Sequence, residues 1–208
     1  MRLPVEVCEV VIDQASDNPQ SLHHLSLTCI AFVPRARYHL FTSIIIRTME
    51  QMDTCLGFLN AHPWISPRVR QVSLSASIPQ DNHLPNVRLL EVVPVHVLNQ
   101  LPNLRGWSME VQFSGHLPQK TPFLSLHRSV LRSYRKYVDG IHNLHLNHIT
   151  FNEISDFTGL VSSFTTIRSL SCSHISFRTK REPDPSLYKP GTLRLSTLEV
   201  RFLHGRRA

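Results

Sequence analysis

The strongest constraint in this sequence is a spacing that returns five times beyond Pro67. Apolar residues fall at positions 1, 4 and 6 of a short run: Val69, Val72, Leu74; Leu104, Trp107, Met109; Ile141, Leu144, Leu146; Ile167, Leu170, Cys172; and Leu195, Leu198, Val200. Successive runs begin 35, 37, 26 and 28 residues apart. Two of them agree in finer detail: Ile141 to Phe151 aligns with Ile167 to Phe177 at every apolar position, and His148 falls on His174. A period of this size belongs to stacked strand–helix units, none of which can bury both of its faces alone. Helical stripes lie between the runs. Val93, Val97 and Leu101 form one over residues 92–101, and Val130, Leu131, Tyr134 and Val138 another over 126–138. Phe157, Leu160, Val161 and Phe164 form a third over 155–164, with Ser155 as its cap. The expected fold for residues 46–208 is a short, curved strand–helix array with a mainly parallel sheet and helices on its outer side. Its last strand candidate ends at Phe202, which leaves the array short or truncated, or covered at that end by another chain.

The first segment has a different pattern. Leu3-Pro4 opens a helix, since proline at the first helical position lacks an N–H that would be unpaired anyway. Val5, Cys8, Ile12 and Ala15 then recur at steps of three and four. Asn18-Pro19 repeats the start signal ahead of Leu22, Leu25, Cys29 and Phe32. Pro34 begins a third, shorter helix with Tyr38 and Phe41. Ser43 to Arg47 reads as a strand because β-branched residues dominate it. A helix from Glu50 to Ala61 follows, with Met52, Leu56 and Leu59 inward, and His62-Pro63 ends it. Residues 1–45 are therefore expected to form a three-helix unit, and the whole chain an α+β to α/β fold.

Composition narrows what such a chain does. Four cysteines in 208 residues form no C-x-x-C pair, which disfavours a zinc module or a disulfide framework. Glu6, Glu9 and Asp13 interrupt any secretory signal, and Ile44-Ile45-Ile46 is far too short for a membrane span, so an intracellular location is expected, cytoplasmic or nuclear. Phosphate-binding glycine loops, nucleophile elbows and H-E-x-x-H are all missing from the sequence, so neither an enzyme nor a bound cofactor is expected. His142, His145 and His148 invite a metal reading. Alternation along a strand sets 142 and 148 against 145, which is poor convergence, so they are read as exposed residues and no metal is expected. Charge is uneven: five arginines face six acids over residues 1–68, and seventeen Lys and Arg face nine acids beyond. The basic residues are dispersed, as at Arg128, Arg132, Arg135 and Lys136, so nucleic acid is not the expected partner.

The opening 45 residues resemble an F-box of the variant common in fungal proteins. Leu3-Pro4-Val5-Glu6-Val7, Val11-Ile12-Asp13, Leu25-Ser-Leu27-Thr-Cys29-Ile-Ala31-Phe32 and Pro34-Arg35-Ala36-Arg37-Tyr38-His39-Leu40-Phe41 carry the resemblance, in order and at the right separation. Phe32 stands where the family usually has Trp; it keeps the aromatic bulk and loses the indole N–H. Beyond residue 75 the pattern looks like the irregular leucine-rich repeats that often follow an F-box. The resemblance implies a substrate receptor of a cullin–RING ubiquitin ligase. The helices would dock on a Skp-type adaptor through Leu3, Pro4, Leu25 and Phe32, with Cys8, Ile12 and Leu22 inside, and the array would hold a target protein. A repeat-based interaction module without a ligase, or a basic nucleic-acid-associated protein, are the alternatives.

Overall fold

Each 1-4-6 run becomes one rung of a parallel sheet, and a sixth rung precedes them. The computed structural model describes residues 4–77, 88–112, 123–137, 140–179 and 195–201. Its strands are β1 (Ser43–Ile46), β2 (Gln71–Ser77), β3 (Gly106–Gln112), β4 (Asn143–Asn147), β5 (Thr150–Phe151), β6 (Ser169–Ser173), β7 (Ser176–Phe177) and β8 (Thr197–Arg201). Its helices are α1 (Val5–Gln14), α2 (Pro19–Thr28), α3 (Val33–Leu40), α4 (Met49–Ala61), α5 (Arg88–Val97), α6 (Arg128–Tyr137) and α7 (Ile154–Ser163). The main sheet runs β1-β2-β3-β4-β6-β8, every neighbouring pair parallel, while β5 and β7 form a second small parallel pair. The chain is thus an α/β arrangement of helices and a parallel sheet.

The register explains why the spacing repeats. Position 4 of each run forms one row across the sheet, Ile44–Val72–Trp107–Leu144–Leu170–Leu198, and position 6 another, Ile46–Leu74–Met109–Leu146–Cys172–Val200. Position 2 carries a backbone ladder. The carbonyls of Thr42, Arg70, Arg105, His142 and Arg168 each accept two N–H groups from the next run, at 2.8 to 3.1 Å. Alternation then sends positions 4 and 6 to one face, where α4 to α7 lie side by side in chain order. Val72, Trp107, Met109 and Leu144 are fully buried there, beside Val93 of α5, Tyr134 of α6 and Leu160 of α7. Tyr134 meets Trp107 edge-on at 5.8 Å and Phe164 at 5.1 Å. Burial pushes the Cys172 thiol up to about 11, as befits a small apolar side chain at a core position.

Several helix boundaries differ from the sequence reading. The expected helix over 92–101 begins earlier, at Arg88, accommodates Pro94, and gives way to a 3-10 turn over Leu98–Gln100. Glu153 caps α7 in place of Ser155, with the Asp156 carboxylate accepting the Glu153 N–H at 3.3 Å. Val138 lies outside the described residues. The unit boundary also moves. Leu40 packs against the small core of α1 to α3, whereas Phe41 packs against the array, and β1 belongs to the main sheet, so the junction falls between Leu40 and Phe41 and not after residue 45.

Candidate interaction surfaces

The helical unit has a core of three fully buried residues, Ile12, Leu22 and Ala36, flanked by half-buried Ala15, Leu25, Phe32 and Leu40. Asn18 caps α2 by accepting the Ser21 N–H at 3.0 Å, and Pro19 sits at its first position. A 3-10 turn, Ile30–Phe32, joins α2 to α3 and packs against α1. One polar clip spans the unit. The Asp13 carboxylate accepts from Arg35 Nε at 2.7 Å and Nη2 at 2.6 Å, and lies 2.7 Å from His39 Nε2. These hydrogen bonds hold the Asp13 carboxyl well below the usual carboxylate range and raise Arg35 further. The clip ties α1 to α3.

Several large apolar side chains of this unit are exposed. Val7, Val10 and Val11 stand 44%, 56% and 46% exposed as a second stripe of α1 turned away from Ile12, at helical spacing. Leu27 at the end of α2 is 74% exposed and Ile30 in the following turn 90%. The residues expected to meet a partner are placed differently. Leu25 and Phe32 lie half-buried against Ile12, Leu22 and Ala36, Pro4 is exposed as the cap of α1, and Leu3 lies outside the described residues. Ile12 and Leu22 are inside as expected, and Cys8 is half-buried. Val5 and Cys29, read as members of inward stripes, are exposed. α1 carries two apolar stripes, and sequence spacing alone does not say which one faces in.

The second surface is the open face of the main sheet, made of the residues between the buried positions. It carries Ser73, Ser108, His145 and Ser171 in one row, and Glu110, Asn147 and Ser173 in the next, where Ser75 is buried. A shallow hollow of about 340 Å³ lies there, lined by Gln71, Ser108, Glu110, His145, Asn147 and Ser171 among others. Asn147 Nδ2 donates to Glu110 Oε1 at 2.8 Å and Gln112 Nε2 to Oε2 at 3.3 Å, which fixes the carboxylate in the middle of the face. From β2 to β6 the described residues of this face include no Lys or Arg, although the segment beyond residue 68 is strongly basic.

Beyond the strand ends, His148 and His174 adopt left-handed backbone, φ 53° and 56°, and stack their rings 4.1 Å apart. The His148 N–H donates to the Ser173 carbonyl at 2.9 Å and that of His174 to Arg201 at 3.0 Å, so each turn hooks onto the next rung. Burial and the neighbouring His174 hold His148 below the usual imidazole value. The three histidines read as exposed strand residues are thus divided: His145 is exposed, His142 is half-buried with Nδ1 3.1 Å from the Thr166 carbonyl, and His148 belongs to the stack. Among the described residues no three His, Cys, Asp or Glu converge on a metal position, and no helix is long and apolar enough to cross a membrane. Comparison with family models, curated proteins and solved structures finds no match to this chain.

Proposed function

We propose that the chain is a substrate receptor of a cullin–RING ubiquitin ligase, docking through α1 to α3 on a Skp-type adaptor and holding a target protein on the open face of the array. The observation that carries this reading is the set of exposed apolar residues on the helical unit. Val7, Val10, Val11, Leu27 and Ile30 are exposed on a unit whose fully buried core, among the described residues, is Ile12, Leu22 and Ala36. Covering a side chain such as Leu27 or Ile30 completely is worth about 1.5–3 kcal/mol, so a partner that buries several of them gains a docking energy. The resemblance of residues 1–45 to an F-box supplies the identity of that partner. The docking face in this proposal is the valine stripe with Leu27 and Ile30; Leu25 and Phe32 hold the unit together beneath it.

The array performs no chemistry in this reading. It holds the target so that target lysines meet a ligase-bound ubiquitin at high effective concentration. The open face suits a segment bearing hydrogen-bond groups or a basic residue, since it offers serine hydroxyls, Asn147 and the Glu110 carboxylate. Capture of the full chain from cells followed by mass spectrometry tests the proposal. Adaptor and cullin recovered together with a further protein, which is lost when Glu110→Lys is introduced, is the expected result. Recovery of a bound protein without adaptor or cullin would leave a repeat-based interaction module instead.

A further inference from the structure

We propose that the junction between the helical unit and the array docks an acidic segment of a partner protein, with a large apolar side chain of that segment in a hollow beside α4 and its carboxylates on Arg68. The hollow, about 360 Å³, is lined by Phe41, Ile44, Ile45, Cys55, Phe58 and Ile65 among others. Ile45 and Phe58 are 52% and 39% exposed, so the lining stands open to solvent. Two of its walls belong also to a cluster of rings. Phe41 meets Phe58 at 5.8 Å and Trp64 at 6.1 Å, and Phe58 meets His62 at 4.6 Å. Trp64 and Tyr38 are 50% and 44% exposed, and the Arg68 guanidinium lies over both rings, 5.1 Å and 5.9 Å from their centres. Trp, Tyr and Arg are the residue types that carry most of the binding energy when an interface covers them.

Charge selects the partner. Two guanidinium groups approach Tyr38. That of Arg35, 5.5 Å from the ring centre, is neutralised by the Asp13 carboxylate at 2.6 Å. That of Arg68 has no ion pair and no side-chain hydrogen bond among the described residues. A guanidinium stacked on rings keeps its in-plane N–H groups available, and their fork matches a carboxylate. The hollow adds no negative charge, since its polar lining is Ser43, Gln51 and Thr54, all neutral. A segment that is both apolar and acidic is matched on each count, and a basic one is repelled at Arg68. Single-stranded nucleic acid also stacks on exposed rings, but it binds through several phosphates at once. One uncompensated arginine beside an apolar hollow suits it poorly. A small apolar ligand is enclosed over most of its surface in its pocket, which this open lining does not provide. The surface includes none of the residues proposed to meet the adaptor, and the inference does not rest on the ubiquitin reading.

Selection of random phage-displayed peptides on the full chain tests the docking site. The wild type is expected to enrich sequences in which Asp or Glu flank a large apolar residue such as Leu or Phe. A synthetic peptide of the enriched sequence, followed by fluorescence anisotropy, is expected to bind Arg68→Glu at least about tenfold more weakly than wild type. Ile45→Thr, which trims the wall of the hollow, should weaken it about threefold. Both positions are exposed, and unchanged circular dichroism and melting would establish that the variants fold. Exchanging the acidic residues of the peptide for their amides should weaken its binding to the wild type, an arm that needs no variant. The proposal is overturned if no enriched peptide joins acidic to apolar residues, if the amide peptide binds as well, or if folded Arg68→Glu binds at wild-type strength. Binding of a poly-thymidine strand that depends on Arg68, with no such peptide enriched, would assign the surface to nucleic acid instead.

Discussion

The array and the helical unit treat apolar residues in opposite ways. In the array, positions 4 and 6 of each run are covered by the next rung and by α4 to α7, until β8 leaves Leu198 and Val200 open. In the helical unit, Ile12, Leu22 and Ala36 satisfy the inside, while a second stripe of valines on α1 is exposed, as are Leu27 at the end of α2 and Ile30 in the turn that follows. The difference is one of stabilisation. The array is held by a continuous core in which Trp107, Tyr134, Phe151 and Phe164 are fully buried, whereas the unit has a small core of Ile12, Leu22 and Ala36 with half-buried neighbours and a charged clip at Asp13. A region of the second kind gains most from a partner.

Breaking the array at its centre gives the largest effect. Trp107 is fully buried against Tyr134, so Trp107→Ala should cost about 3–5 kcal/mol, read as a fall in the urea midpoint. An effect below about 1 kcal/mol would mean that the rungs do not share one core. A smaller loss is expected at the turn. His148→Val puts a β-branched side chain at φ 53° and should cost about 1–2 kcal/mol, with His148→Asn closer to wild type because Asn tolerates that conformation.

Acid should separate the two regions. His148 is held below the usual imidazole value by burial and by His174, so its neutral form stabilises the turn fully above about pH 6.5, and that contribution fades as the pH falls below it. The negative charge of Glu110 opposes this trend, more weakly. Asp13 is held low by Arg35 and His39, so its contribution is complete above about pH 4 and fades only below that. Followed by NMR down a pH series, the turn between β4 and β5 should change before α1 and α3 do, and Asp13→Asn should remove the later step. The reverse order would contradict this assignment.

The array was legible in the sequence because parallel strands in register place equivalent residues in rows, and a row imposes a spacing. The same rule extends one rung further. Phe41, Ile44 and Ile46 repeat the 1-4-6 spacing 28 residues before Val69, and β1 is the first strand of the sheet. The alignment of His148 with His174 was visible, but the left-handed backbone and the ring stack were not, because both arise from contact between neighbouring rungs. The helical unit was less legible. Spacing located α1, α2 and α3, but apolar residues on two sides of α1 satisfy helical periodicity equally well, and Leu25 and Phe32 proved to line the inner side. Burial decides between such stripes, and burial depends on packing that no local pattern encodes.

Titration calorimetry of the full chain against a purified Skp-type adaptor tests the central claim most directly, with Val10→Asp/Ile30→Asp as the probe. Both positions are exposed, so the double variant should melt within about 0.5 kcal/mol of wild type. The wild type should bind and the folded variant should not, whereas Leu198→Asp at the far end of the sheet should bind like wild type. Absence of binding by the wild type, or binding that survives in the double variant, would contradict the account.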